Sequence, residues 1–246
     1  MSAIGHYLEE EGIPTTQISL VREHTAALAP PRALWVPFML GRPFGVPNDA
    51  AFQRKVLLAA LRLLERESGP ILEDFPDDAP NELLSPPPDG LACPVSFPNM
   101  KSDGALADKL ADEVSQLQAW HDVAVRYRGR TTLGVTGLSP AQIADYLKSW
   151  LNGNAPTPFR NDISQGDALK LACDELKAYY YESKSVQPGQ HSDTSMQNWF
   201  WLETAAGQVL LQIRDIARTS ADPSMNPLAS LSLIPRAVEA VLRREQ

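Results

Sequence analysis

Residues 11–52, EGIPTTQISLVREHTAALAPPRALWVPFMLGRPFGVPNDAAF, decide how this chain folds. Thr15-Thr16-Gln17-Ile18-Ser19-Leu20-Val21 is rich in β-branched residues and partly alternates, which predicts a strand. Residues 23–29 can make a helical turn, and Pro30-Pro31 stops it. Ala33-Leu34-Trp35-Val36-Pro37-Phe38 is a continuous apolar run, as expected of a strand buried on both faces. Pro37 lacks a ladder donor, so that strand ends or meets an edge there. Gly12-Ile13-Pro14 closes a preceding helix over roughly 2–10. Helix, strand, helical turn, strand is the order of a parallel sheet. Two strands do not make a stable sheet by themselves. Ile71-Leu72 and Val95-Ser96-Phe97 are the candidates for further strands, or a partner chain supplies them.

Beyond this stretch, Asn48-Asp49 caps a helix expected to run to Glu65, with Phe52, Val56, Ala59/Ala60 and Leu63 on one apolar face. Residues 69–99 read as a long proline-rich excursion, the kind of connection often used as a functional loop. Fourteen of the 21 prolines precede Met100, so strands and turns belong to the first hundred residues and helices to the rest. Five helices are expected there. The first spans about 103–127. The second is opened by Ser139-Pro140-Ala141-Gln142 and stopped by Asn152-Gly153. The third is opened by Ser164-x-x-Asp167, and the fourth runs from Thr194 to about Thr219. Asn226-Pro227 opens the last. The fold class is therefore an α/β N-terminal part with a small parallel sheet, over 1–100, and a mostly α-helical C-terminal part, a helix bundle, over 101–246.

Composition limits the function classes. The 246-residue chain has 43% hydrophobic residues, enough for a sizeable core, and its formal net charge of -8 argues against nucleic acid or an anionic membrane as main partner. No apolar run reaches spanning length, and MSAIGHYLEEEG is not a secretory signal. Two cysteines, far apart in sequence, make no disulfide framework, so a reducing cytoplasm is expected. The four histidines show no metal-ligand spacing, so no metal is expected, and no cofactor fingerprint is present.

Several residues can carry chemistry. Cys93, followed by Pro94, can be presented from a loop as a thiol nucleophile, or can be a small buried hydrophobe. Cys173 shares a helix face with Leu169 and Leu176 and reads as core. Gly41-Arg42-Pro43-Phe44-Gly45-Val46-Pro47 follows the second strand and precedes the helix capped at Asn48. Ligands in open α/β sheets sit beyond the carboxyl ends of strands. There Gly41, Gly45, Arg42 and a helix N-terminus can clamp a substrate carboxylate, or form a structured turn. No Gly-Lys-Ser/Thr follows, so this is not a phosphate loop. Arg22 and His24 follow the first strand, also at a carboxyl end, where a histidine can serve as a general acid or base. Arg126-Tyr127-Arg128-Gly129-Arg130 reads mainly as cations at a helix C-terminus. Tyr179-Tyr180-Tyr181 and Trp199-Phe200-Trp201 read as bundle packing, with an aromatic cage for a quaternary ammonium as the alternative.

Glu11-Gly12-Ile13-Pro14-Thr15, Pro31-Arg32-Ala33-Leu34-Trp35-Val36-Pro37 and Leu40-Gly41-Arg42-Pro43 followed by Gly45-x-Pro47 carry a family resemblance. Over about residues 8–65, and more weakly through Phe97, the chain resembles the C-terminal portion of the selenoprotein B family of glycine, sarcosine, betaine and D-proline reductases. Cys93-Pro94-Val95-x-Phe97 and Gly129-Arg130-Thr131-Thr132-Leu133-Gly134-Val135 resemble a proteobacterial-type branch without selenocysteine. The resemblance implies a reductase subunit in which a selenolate attacks the substrate carbon and displaces an amine or opens a ring. It also implies a partner subunit bearing a pyruvoyl group. In the family a selenocysteine-x-x-cysteine pair lies shortly before the equivalent of Gly12-Ile13-Pro14. No Cys-x-x-Cys occurs in this sequence. Three expectations follow. The chain is an oxidoreductase subunit relying on Cys93 or a partner's thiol; or it is a non-catalytic member binding a small carboxylate, a partner chain or another copy of itself; or the sequence is the later part of a longer selenocysteine or cysteine reductase.

Overall fold

The computed structural model describes residues 2–67, 69–80, 104–188, 191–235 and 238. The chain divides into two compact units, one over 1–84 together with 189–195, the other over 85–188 and 196–246.

The first unit begins with α1 (Ser2–Glu10), β1 (Gln17–Ser19), α2 (Arg22–Leu28) and β2 (Arg32–Trp35). After these come α3 (Ala50–Arg62), a 3-10 turn over Leu63–Glu65, and β3 (Ile71–Asp74). The three strands form one parallel sheet in the order β1-β2-β3, with Ile18 opposite Leu34 and Leu34 opposite Glu73. The sequence thus finds its third strand at Ile71-Leu72, inside what reads as an excursion, while Val95-Ser96-Phe97 lies outside the described residues. Both strands of the decisive stretch are shorter than the runs that predict them. β2 ends at Trp35, two residues before Pro37, although the ladder continues one bond further: Val36 N–H donates to Ser19 O (2.9 Å) and Phe75 N–H to Trp35 O (2.8 Å).

Packing follows from the period-two alternation of β2. Leu34, Val36 and Phe38 meet Val56, Ala60 and Leu63 of α3 and its 3-10 turn, closing a core with Val46, Phe75 and Ala79. Phe38, Phe52 and Phe75 contribute three tilted or edge-on ring contacts at 5.6–6.0 Å. At the amino ends of the strands Arg32, only 7% exposed, is the tie. Its Nη1 donates to Glu9 Oε1 of α1 (2.6 Å), and its Nε and Nη2 donate to the Arg66 carbonyl (3.0 and 2.7 Å).

The second unit is helical: α4 (Leu106–Arg128), α5 (Pro140–Leu151), α6 (Gln165–Ser185), the second half of α7 (Asp193–Asn198), whose first half belongs to the first unit, and α8 (Ala205–Thr219), then a 3-10 turn at Pro223–Met225 and a π-type turn at Leu228–Ser232. The Ser139 capping box forms as its sequence dictates: Ser139 Oγ accepts from Gln142 N–H and Gln142 Oε1 from Ser139 N–H. Leu110, Val114 and Leu117 of α4 share one core with Ile143 and Leu147 of α5. Leu169, Cys173, Leu176 and Tyr180 of α6 and Val209, Leu210 and Ile213 of α8 complete it.

One helix departs from expectation. The run from Thr194 to Thr219 is not continuous, because a π-type turn at Trp199–Glu203 and an extended Thr204 separate α7 from α8. Thr204 Oγ1 accepts from Gly207 N–H (3.0 Å), a fresh N-cap. The Glu113 carboxylate of α4 accepts from Ala205 N–H (2.8 Å) and Ala206 N–H (3.3 Å). Gly207 lets the turn fold close, since a Cβ there would stand 2.3 Å from the Phe200 carbonyl oxygen. The break shifts the helical phase, which is why Leu202 is 41% exposed although it fits the apolar period.

Candidate functional site

The carboxyl end of the sheet is built from the ends of β1, β2 and β3. After β1, Ser19 Oγ bonds Thr25 Oγ1, and Thr25 Oγ1 donates to the Val21 carbonyl (2.9 Å), so α2 starts directly on the strand end. That start places Arg22 against β3: its Nε donates to both carboxylate oxygens of Asp74 (2.9 and 3.1 Å). Arg22 is therefore already engaged by a carboxylate, on the surface. His24 stands on the exposed side of α2 and makes no hydrogen bond to a described residue.

After β2 the chain turns twice. Arg42 N–H donates to the Met39 carbonyl (3.0 Å) and Gly45 N–H to the Arg42 carbonyl (2.9 Å). Met39 N–H donates to Asp193 Oδ2 (2.8 Å), a buried carboxylate. The two glycines differ. Gly41 has φ +90° and open space where a side chain would be. Gly45 has φ +80°, and a Cβ there would meet the Phe52 ring at 2.6 Å, so packing on α3 already requires glycine. The N-terminus of α3 is filled from within, because Asp49 Oδ1 accepts from Phe52 N–H (3.0 Å). Beside them stand half-buried Arg42, which already has an interaction of its own, and the open backbone of Gly41. The structure brings Arg42, Gly41 and Gly45 into one turn and joins Arg22 to Asp74, while His24 lies on the exposed side of α2. Cys93 lies outside the described residues.

In the second unit the chemistry-bearing groups are carboxylates that sequence reasoning missed. Glu182, on α6, accepts at Oε1 from Thr132 N–H (2.8 Å) and Thr132 Oγ1 (2.7 Å). Its Oε2 accepts from Thr131 Oγ1 (2.7 Å) and faces His121 Nε2 (3.0 Å). Burial pushes this carboxyl up, but the bonds from His121, Thr131 and Thr132 outweigh it and hold the group down to about 2. Two turns earlier Glu175 accepts from Gly134 N–H (2.6 Å) and Thr136 N–H (2.8 Å). The glycine- and threonine-rich loop after α4 is thus clamped by two glutamates on one face of α6. That is the structural content of Gly129-Arg130-Thr131-Thr132-Leu133-Gly134-Val135. Glu113, held at the start of α8, is pushed up by burial, against the bonds from Ala205, Tyr180 and Ala206. The signal for these residues was a glutamate on the apolar face of each helix.

The remaining candidates resolve into packing. Cys173 is fully buried, and burial pushes its thiol up to about 12, so it stays protonated and inert near neutral pH. Tyr179 and Tyr180 are also fully buried, donating to Val114 O (2.7 Å) and Glu113 Oε2 (2.9 Å). The face of Trp199 is taken by the protein's own cation, Lys184 Nζ, 4.8 Å from the ring centre. Among the described residues no group of three or more His, Cys, Asp or Glu is placed to hold a metal ion, and no helix is long and apolar enough to cross a membrane.

No protein-family model, curated protein or solved structure matches this chain.

Proposed function

We propose that this chain is a selenoprotein B-like oxidoreductase subunit serving the reductive cleavage of a small amino acid or betaine-type substrate, whose carboxylate is held by Arg42 in the turn after β2. One observation carries the reading. The segments that resemble the family coincide with the entry to β1, the whole of β2 and the turn that follows it, at the carboxyl end of a parallel sheet, where ligands bind. Cys173 is sealed and inert, so a thiol of this chain in that chemistry is Cys93, and otherwise the thiol belongs to a partner subunit.

The test is amine release from glycine, sarcosine or betaine, and ring opening of D-proline, by the full chain with a dithiol reductant and its pyruvoyl-bearing partner subunit. Turnover lost in Cys93→Ser assigns the thiol to this chain, and turnover unchanged in that variant assigns it to the partner. No turnover of any of these substrates by the complete complex overturns the proposal. A second reading, a non-catalytic member that binds a small carboxylate, is favoured by the inert state of the one described thiol, and ligand binding without turnover selects it.

A further inference from the structure

A helix at the surface of a globular unit shows one apolar face to the core and a polar face to water. α3 and its 3-10 turn break this rule. Val56, Ala60 and Leu63 face the core, yet Leu57, Leu58, Leu61 and Leu64 on the opposite side are 38–44% exposed. Spacings of three and four put these leucines on one stripe, and a contiguous exposed apolar stripe marks an interaction surface.

The stripe is framed by opposite charges. Arg54 lies on it one turn before Leu57 and Leu58, and Glu65 lies on it one turn after Leu61. Both are exposed and neither ion-pairs with a described residue. The other cations of the helix lie off the stripe: Lys55 is paired with Asp77 (2.6 Å), Arg66 with Glu73 (2.8 Å), and Arg62 sits to one side. Basic at one end, apolar in the middle and acidic at the other is a self-complementary pattern. Two such helices laid antiparallel about a two-fold axis between Ala59 and Ala60 put Arg54 opposite Glu65 of the other copy, and Leu58 opposite its Leu61. An isologous contact needs this arrangement, since each pairing then occurs twice.

We propose that the α3 face, Leu57, Leu58, Leu61 and Leu64 between Arg54 and Glu65, is the docking surface for a second copy of this chain, packed antiparallel. The proposal is independent of the reductase reading. The second copy would cover the outer side of α3, leaving the turn at Arg42 on its own unit.

The test is the oligomeric state of the full chain by light scattering and sedimentation at micromolar concentrations. The wild type is dimeric, and Leu61→Glu is monomeric with an unchanged circular dichroism spectrum. Arg54→Glu and Glu65→Arg each place like charges across the interface and weaken the dimer by at least about tenfold. The double variant Arg54→Glu/Glu65→Arg restores the pairing and returns the dimer to wild-type strength, a rescue that misfolding cannot imitate. A monomeric wild type, as when another part of the chain or a different protein covers the leucines, overturns the proposal. So does a dimer indifferent to Leu61→Glu, or a double swap that fails to rescue.

Discussion

Replacing Glu182 with glutamine tests the clamp on the loop after α4. The carboxylate accepts three hydrogen bonds from Thr131 and Thr132 and faces His121, at 2.7–3.0 Å, with a side chain only 10% exposed. Its folded value of about 2 lies below the ordinary 4.5, which corresponds to about 3 kcal/mol of stability. Because the folded value is the depressed one, this stability is fully present above about pH 4.5 and is lost as pH falls toward 2. About half of it is gone near pH 3. Glutamine keeps the shape and one acceptor but not the charge, and its amide turns a donor toward Thr131 and His121. Urea denaturation of both proteins at pH 7 and pH 3 reads the difference directly, since all other carboxylates titrate alike in both. The expected loss is about 2–3 kcal/mol at pH 7, falling by about half at pH 3. A loss below about 0.5 kcal/mol at pH 7, or one independent of pH, would show that the Glu182 charge does not hold this loop.

Three further outcomes follow from the packing. Gly45→Ala forces a Cβ onto the Phe52 ring at a positive φ and lowers stability by about 1–3 kcal/mol in urea denaturation, and a neutral result would mean the turn relaxes freely. Cys173 in the native protein resists iodoacetamide at pH 8 and reacts once urea unfolds the chain, as peptide mass spectrometry resolves; native labelling at the rate of a free thiol contradicts its burial. Thr204→Ala removes the N-cap of α8 and costs about 1 kcal/mol in the same denaturation assay, whereas no loss would show that Glu113 alone holds that helix end.

What could be read from the sequence was what neighbouring residues decide. The capping box and Asn152-Gly153 stop of α5, the Ser164 cap of α6, the apolar face of α3 and the order of β1, α2 and β2 each arise within a few residues, and each forms where its signal stands. The break at Thr204 was hidden because an apolar period runs through it. The acceptor that completes the new helix start, Glu113, lies far back in the chain on α4. The Glu175 and Glu182 clamp was hidden for the same reason: the bonds join residues 39–51 positions apart. At the candidate site, the sequence identified the turn around Arg42 but not the demands on its parts. Asp49 occupies the helix N-terminus that was open to an anion, and Phe52 gives Gly45 a packing role. The Asp49 cap is local and legible in the sequence, whereas the Gly45 constraint is not, because it depends on how α3 settles against the turn.

The turn after β2 is proposed to bind a small carboxylate through Arg42. Isothermal titration of the full chain with glycine, betaine and proline, alongside Arg42→Ala, tests it most directly. The expected result is saturable binding of at least one of these ligands, lost in Arg42→Ala while circular dichroism is unchanged. Binding that survives Arg42→Ala, or no binding of any of them to the wild type, would contradict it.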